Sequence, residues 1–168
     1  NAGRGMINYV GHGNTTGWVT SSFTNNHVKA LTNYNKLPFI MSVACLNGNF
    51  TSSTCFAETW LRAKDTNNGE PIGAVAMYAS TVNQSWTPPM TAQNEVIDLI
   101  VKEKANTFGG LMYNGSSKMI DTWGNGGGLE FQNWHIFGDA SLQIRTVTPQ
   151  VMLTSYPNVV FMGESSIQ

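Results

Sequence analysis

A histidine set between two glycines, Gly11-His12-Gly13, and a cysteine closing an apolar run, Ser42-Val43-Ala44-Cys45, are the side chains of this sequence best suited to covalent chemistry. A free thiol with a pKa of about 8.5 is only a few per cent thiolate at neutral pH. An imidazole beside it raises that fraction and supplies the acid that protonates a leaving amine, so the pair is suited to acyl transfer. Gly13 has no side chain to keep a substrate carbonyl away from the backbone, and its N–H with that of Cys45 would form an oxyanion hole. One such donor is worth about 3 kcal/mol of transition-state stabilisation. Each residue also has a plainer role: His12 as a loop residue, Cys45 as a small core hydrophobe.

The remaining candidates are weaker. Cys55 opens an amphipathic stretch with Phe56, Ala57 and Leu61, where burial is expected; whether it forms a disulfide with Cys45 stays open. His27 sits at a polar helix start, and His135 follows Trp134 in an aromatic cluster. The sequence has no HExxH, no CxxC pair and no phosphate-binding glycine loop after a strand, so metalloenzyme and nucleotide chemistry rank low. Gln84, Ser85, Trp86 and Met90 follow an apolar run, where an exposed Trp and a flexible Met would wall a side-chain pocket; the alternative is a loop aromatic folded onto the core.

The elements that must position these residues are legible as short apolar runs. Residues 6–10 (MINYV) read as a buried strand running into GHGN, residues 37–45 (LPFIMSVAC) as a stronger one, and residues 72–80 (IGAVAMYAS) as a third. Between them fall helical spacings, one after Thr24 as cap and one over 55–64. Strand, helix, strand, helix, strand describes a parallel sheet covered on both faces, an α/β fold. In such a sheet ligands collect beyond the carboxyl ends of the strands, and neighbouring strands lie about 4.8 Å apart. His12, just past the first strand, and Cys45, at the end of the second, are therefore expected on one rim.

Further on, TVNQSWTPPM reads as loop, 91–104 as a helix with an apolar stripe of Val96, Ile97, Ile100 and Val101, and 111–123 as another helix. GNGGG at 124–128 reads as a flexible break, FQNWHIFGD as irregular, and SLQIRT at 141–146 as a strand. The alternation changes after Pro149, which divides the chain into residues 1–147, part of an α/β domain, and 148–168, the first strand or two of an all-β domain.

Composition narrows the function classes. Over 168 residues, nine Lys plus Arg against ten Asp plus Glu give a net charge of −1, and no basic field exists to hold nucleic acid. No apolar run approaches the roughly 20 residues of a spanning helix, and the first residues lack the pattern of a signal peptide. Low charge with abundant Asn, Thr, Ser and Gly points faintly to the cell exterior.

INYVGHG, SVACLNGNF, CFAE, ASTVNQSW with PPM, FGGLMYNGSSKM and FGDASLQIRT, in that order, resemble the gingipain family of cysteine peptidases, nearer the arginine-specific type. The resemblance implies a caspase-like three-layer sandwich with a mostly parallel sheet, followed by the start of an immunoglobulin-like β domain. It implies a cysteine endopeptidase with Cys45 as nucleophile, His12 as general acid/base, and the N–H groups of Gly13 and Cys45 as oxyanion hole. Trp86 and Met90 would flank the P1 side chain, with Gln84 offering its carbonyl. Ser85 stands where the lysine-specific branch has an acid, and Thr91-Ala92-Gln93 stands where an arginine is expected after PPM. No cofactor is required for this chemistry; structural calcium is implied, but no DxDxDG loop occurs and no metal ligand is assigned. Also implied are a secreted or bacterial cell-surface location and protein or peptide substrates. The first strand lacks earlier strands of its own sheet, an apolar edge that is expected to be covered by an upstream fragment of the same catalytic domain. A surface transpeptidase of a bacterial secretion system, passing the acyl group to an amine, and a non-catalytic binding module are the alternatives.

Overall fold

In a computed structural model, residues 3–51 and 53–144 are described. β1 (Met6–Val10), β5 (Phe39–Val43), β6 (Ala76–Ser80) and β7 (Trp134–Gly138) form one sheet in the order β1-β5-β6-β7. β1, β5 and β6 run parallel, and β7 is antiparallel to β6. Every residue of β5 and β6 is buried, because side chains alternate between two covered faces. Ile40, Met77 and Ala79 point into a cluster with Trp18, Phe56 and Trp60. Phe39, Met41, Val43 and Tyr78 point into a second cluster with Val96, Phe108, Leu111 and Met112.

Helices α1 (Asn25–Lys29) and α2 (Phe56–Arg62) contribute to the first cluster; α3 (Thr87–Val101) and α4 (Phe108–Trp123) to the second. The result is a mixed three-layer α/β arrangement. β2 (Gly13–Asn14), β3 (Gly17–Trp18) and β4 (Phe23–Thr24) make a small antiparallel sheet directly after His12, which short glycine-rich runs did not signal.

Five expectations change. α3 begins at Thr87 rather than 91, because Pro88 and Pro89 occupy its first turn, where a missing N–H costs nothing. Its inner face is Ala92, Gln93 and Val96 with Leu99 and Ile100, while Val101 is 74% exposed. GNGGG is no break: α5 (Asn125–Gln132) runs through it. FQNWHIFGD contains β7, whose ladder with β6 overrides its irregular local pattern, whereas of SLQIRT the described residues 141–144 form no strand beyond an isolated bridge from Gln143 to Thr107. The boundary at 147/148 and the immunoglobulin-like segment lie outside the described residues.

Candidate active site

β1 and β5 are neighbours whose pairing ends on Val10 opposite Val43, so His12 and Cys45 each stand two residues beyond one matched pair. The Gly11 N–H extends the ladder by one bond to the Val43 carbonyl, at 3.1 Å. His12 is then held by its backbone at three points: its N–H donates to Thr20 Oγ1 (3.1 Å), and its carbonyl accepts from the Val19 N–H (2.8 Å) and the Tyr9 hydroxyl (3.0 Å). Its ring is left exposed, with the indole of Trp86 edge-on at 5.2 Å between centroids.

Gly13 lies against the cysteine turn. A Cβ there would stand 2.7 Å from the Cys45 carbonyl oxygen, 2.8 Å from Ala44 Cβ and 3.0 Å from Asn47 Nδ2, so only glycine permits this approach. Cys45 is a half-buried free thiol whose Sγ is 3.9 Å from the Gln84 carbonyl. Leu46 follows it in the left-handed region (φ 60°), and its N–H donates to the Val82 carbonyl at 3.1 Å. A non-glycine residue so placed costs about 1 kcal/mol or more, and here it turns the chain sharply at the strand end.

Behind this rim lies a buried polar network that the sequence reading missed. Asn47 accepts from Ser42 Oγ (2.8 Å) and donates to the carbonyls of Asn14 (2.7 Å) and Gly17 (3.0 Å). Ser42 Oγ in turn accepts from Trp18 Nε1 at 2.9 Å. The cysteine turn, β5 and the hairpin after His12 are thereby fastened together. LNGN reads locally as a turn; the only signal for Asn47 was a polar residue two places past the candidate nucleophile.

The residues after β6 reach the same rim. Gln84 presents its backbone carbonyl to Cys45, and its side-chain Oε1 is buried without a hydrogen-bond partner. Trp86 is 44% exposed rather than folded onto the core, and Met90 is half-buried against the α3–α4 cluster. The Ser85 N–H donates to Glu130 Oε1 at 2.9 Å, and its hydroxyl donates to the same oxygen.

The other candidates lie apart. Cys55 is a free, fully buried thiol at the cap of α2, its N–H donating to Glu58 Oε2 at 2.8 Å; burial pushes its pKa up. His27 takes the Thr24 N–H on Nδ1 at 3.0 Å, and His135 packs edge-on against Phe50 at 5.5 Å. Among the described residues no three His, Cys, Asp or Glu side chains cluster as a metal site, so none is assigned to calcium. No described helix is long and apolar enough to cross a membrane.

Residues 1–145 match the profile of Peptidase family C25. The chain belongs to that family. Among C25 relatives it is 44% identical over 162 residues to Gingipain R2 and 42% identical over 172 residues to Gingipain R1, both of Porphyromonas gingivalis. These alignments cover 94% and 99% of the chain but only 22% and 17% of the relatives. The crystal structure of the Arg-specific cysteine proteinase gingipain R superimposes with a TM-score of 0.85 at 44% identity, over 95% of this chain and 38% of that one. A C25 fold therefore carries the rim described above.

Proposed function

We propose that this chain supplies the nucleophile and the general acid/base of a cysteine endopeptidase that cleaves after arginine. The observation that carries the reading is the placement of His12 and Cys45 two residues beyond the matched Val10 and Val43, on adjacent parallel strands. The Cys45 thiol gives its proton to His12 and the sulfur attacks the scissile carbonyl carbon. The resulting oxyanion is held by the N–H groups of Gly13 and Cys45. His12 then protonates the leaving amine, the C–N bond breaks, and a thioester remains. Water, losing a proton to His12, attacks that thioester and releases the acid product and Cys45.

Trp86 and Met90 flank the P1 side chain, and Gln84 accepts a hydrogen bond through its backbone carbonyl. Preference for arginine is supported by the likeness to an Arg-specific relative and by Ser85 in place of an acid. No cofactor enters the chemistry, and polypeptides met outside the cell are the substrates. An upstream segment of the same catalytic domain packs beside β1, whose outer edge has no strand neighbour among the described residues.

The test is peptide hydrolysis by the longest natural polypeptide containing this chain. With fluorogenic peptides varied at P1, arginine is expected to be preferred over lysine and alanine. Cys45→Ala is expected to lower kcat by about 10⁴-fold or more with unchanged circular dichroism. Cleavage by that variant at the wild-type rate would overturn the assignment.

A further inference from the structure

The segment from Ser80 to Trp86 is held from two sides. On the inner side the nucleophile turn grips it: the Gly48 N–H donates to the Ser80 carbonyl (2.8 Å), the Leu46 N–H to the Val82 carbonyl (3.1 Å), and Cys45 Sγ approaches the Gln84 carbonyl (3.9 Å). On the outer side are residues at the end of α5. The Thr81 N–H and hydroxyl both donate to the Asn133 carbonyl, at 2.8 and 3.0 Å, and both donors of Ser85 converge on Glu130 Oε1.

Glu130 is an unexpected residue at that place. It stands in the last turn of α5, where the helix dipole disfavours a carboxylate, and no cation pairs with it among the described residues. Its recorded side-chain partners are the two donors of Ser85, one position before Trp86. Hydrogen bonds to an ionised acceptor are roughly twice as strong as neutral ones. The platform beneath it is close-packed: a Cβ on buried Gly127 would stand 2.4 Å from the Met119 carbonyl oxygen of α4. Trp123 Nε1, at the end of α4, donates to Thr91 Oγ1 of α3 at 2.9 Å, so the three helices form one support.

We infer that Glu130 is a positioning residue that clamps the substrate-binding loop 82–86 through Ser85, so that the Gln84 carbonyl stays over Cys45 and Trp86 stays against His12. The inference deepens the peptidase reading and rests on it for its catalytic readout only. Glu130 touches no reacting atom; removing it frees the wall of the P1 pocket while leaving the nucleophile turn in place.

Two measurements on Glu130→Ala, Glu130→Gln and wild type test the clamp in the longest natural polypeptide. In hydrogen exchange read by mass spectrometry, peptides spanning 82–86 are expected to exchange at least about tenfold faster in Glu130→Ala, and close to the wild-type rate in Glu130→Gln, whose amide oxygen still accepts. In peptide cleavage, Glu130→Ala is expected to lower kcat/KM by about tenfold, chiefly through KM, with alkylation of Cys45 by iodoacetamide unchanged. Unchanged exchange in Glu130→Ala overturns the clamp, as does a fall in Cys45 alkylation parallel to that in cleavage, which would mean general disruption. If the wild type cleaves no peptide, the peptidase reading fails, and loop exchange still decides the clamp.

Discussion

Cys45 and Cys55 share a side chain and differ in everything around it. Cys45 stands two residues past β5 at a rim, half-buried, with its Sγ 3.9 Å from the Gln84 carbonyl. Cys55 is sealed inside the first core cluster, and its thiol is held protonated by burial. Because the thiolate is the reactive form, alkylation should discriminate between them. On brief treatment of the folded protein with iodoacetamide at neutral pH, peptide mapping is expected to show Cys45 modified at least about tenfold faster. Faster modification of Cys55 would contradict this account of the two sites. The types and spacing of His12 and Cys45 were legible in the sequence; that Glu130, 45 residues after Ser85, completes the loop was not, since Ser85 lies in a stretch that reads locally as loop and Glu130 falls between one read as a break and one read as irregular.

At the scale of elements, the site depends on keeping the hairpin after His12 against the turn after Cys45. Asn47 does this with its side chain fully buried, spending both ends of its amide on partners in different elements. Asn47→Ala would leave two carbonyls and the Ser42 hydroxyl short of a partner, at about 2 to 4 kcal/mol. Urea denaturation should therefore show a clearly lower midpoint, and peptide cleavage should fall further than stability alone explains. A midpoint shift worth less than about 0.5 kcal/mol would show that the network is not what joins the elements. β1, β5 and β6 announce themselves through short apolar runs. β7 and α5 do not: WHIFG becomes a strand only because β6 offers it an open edge, and of the α5 glycines Gly127 is the one that close approach to α4 requires, Gly126 and Gly128 facing open space.

Over the whole molecule, the sheet is sealed by helices on both sides, and Tyr78 joins the middle layer to α4 through a 2.8 Å hydrogen bond with Ser116. Burial pushes its pKa up to about 12 from 10.0. Below pH 10 the phenol is protonated in both folded and unfolded chains, so its contribution is fully present. Between about 10 and 12 only the unfolded chain releases the proton, so stability falls as pH rises, by about 1.4 kcal/mol per unit across that window. Tyr78→Phe should remove this slope while costing about 1 kcal/mol at neutral pH, where Ser116 loses its partner. Denaturation midpoints compared between pH 9 and 11.5 give the difference, the other titrating groups being common to both proteins. An identical decline in Tyr78→Phe would mean that Tyr78 does not stay protonated in the fold.

What the sequence determined by itself was the alternation of apolar strands with amphipathic helices, and the presence of an imidazole just past one strand and a thiol at the end of the next. Those features are local, because periodicity and strand ends are written within about ten consecutive residues. Tertiary structure decided that β1 lies beside β5, that Val10 pairs with Val43, and that Asn47, Gln84 and Glu130 hold the rim. Partnerships across tens of residues depend on which faces the sheet leaves uncovered and which backbone groups are still unpaired. No short stretch of sequence carries that information.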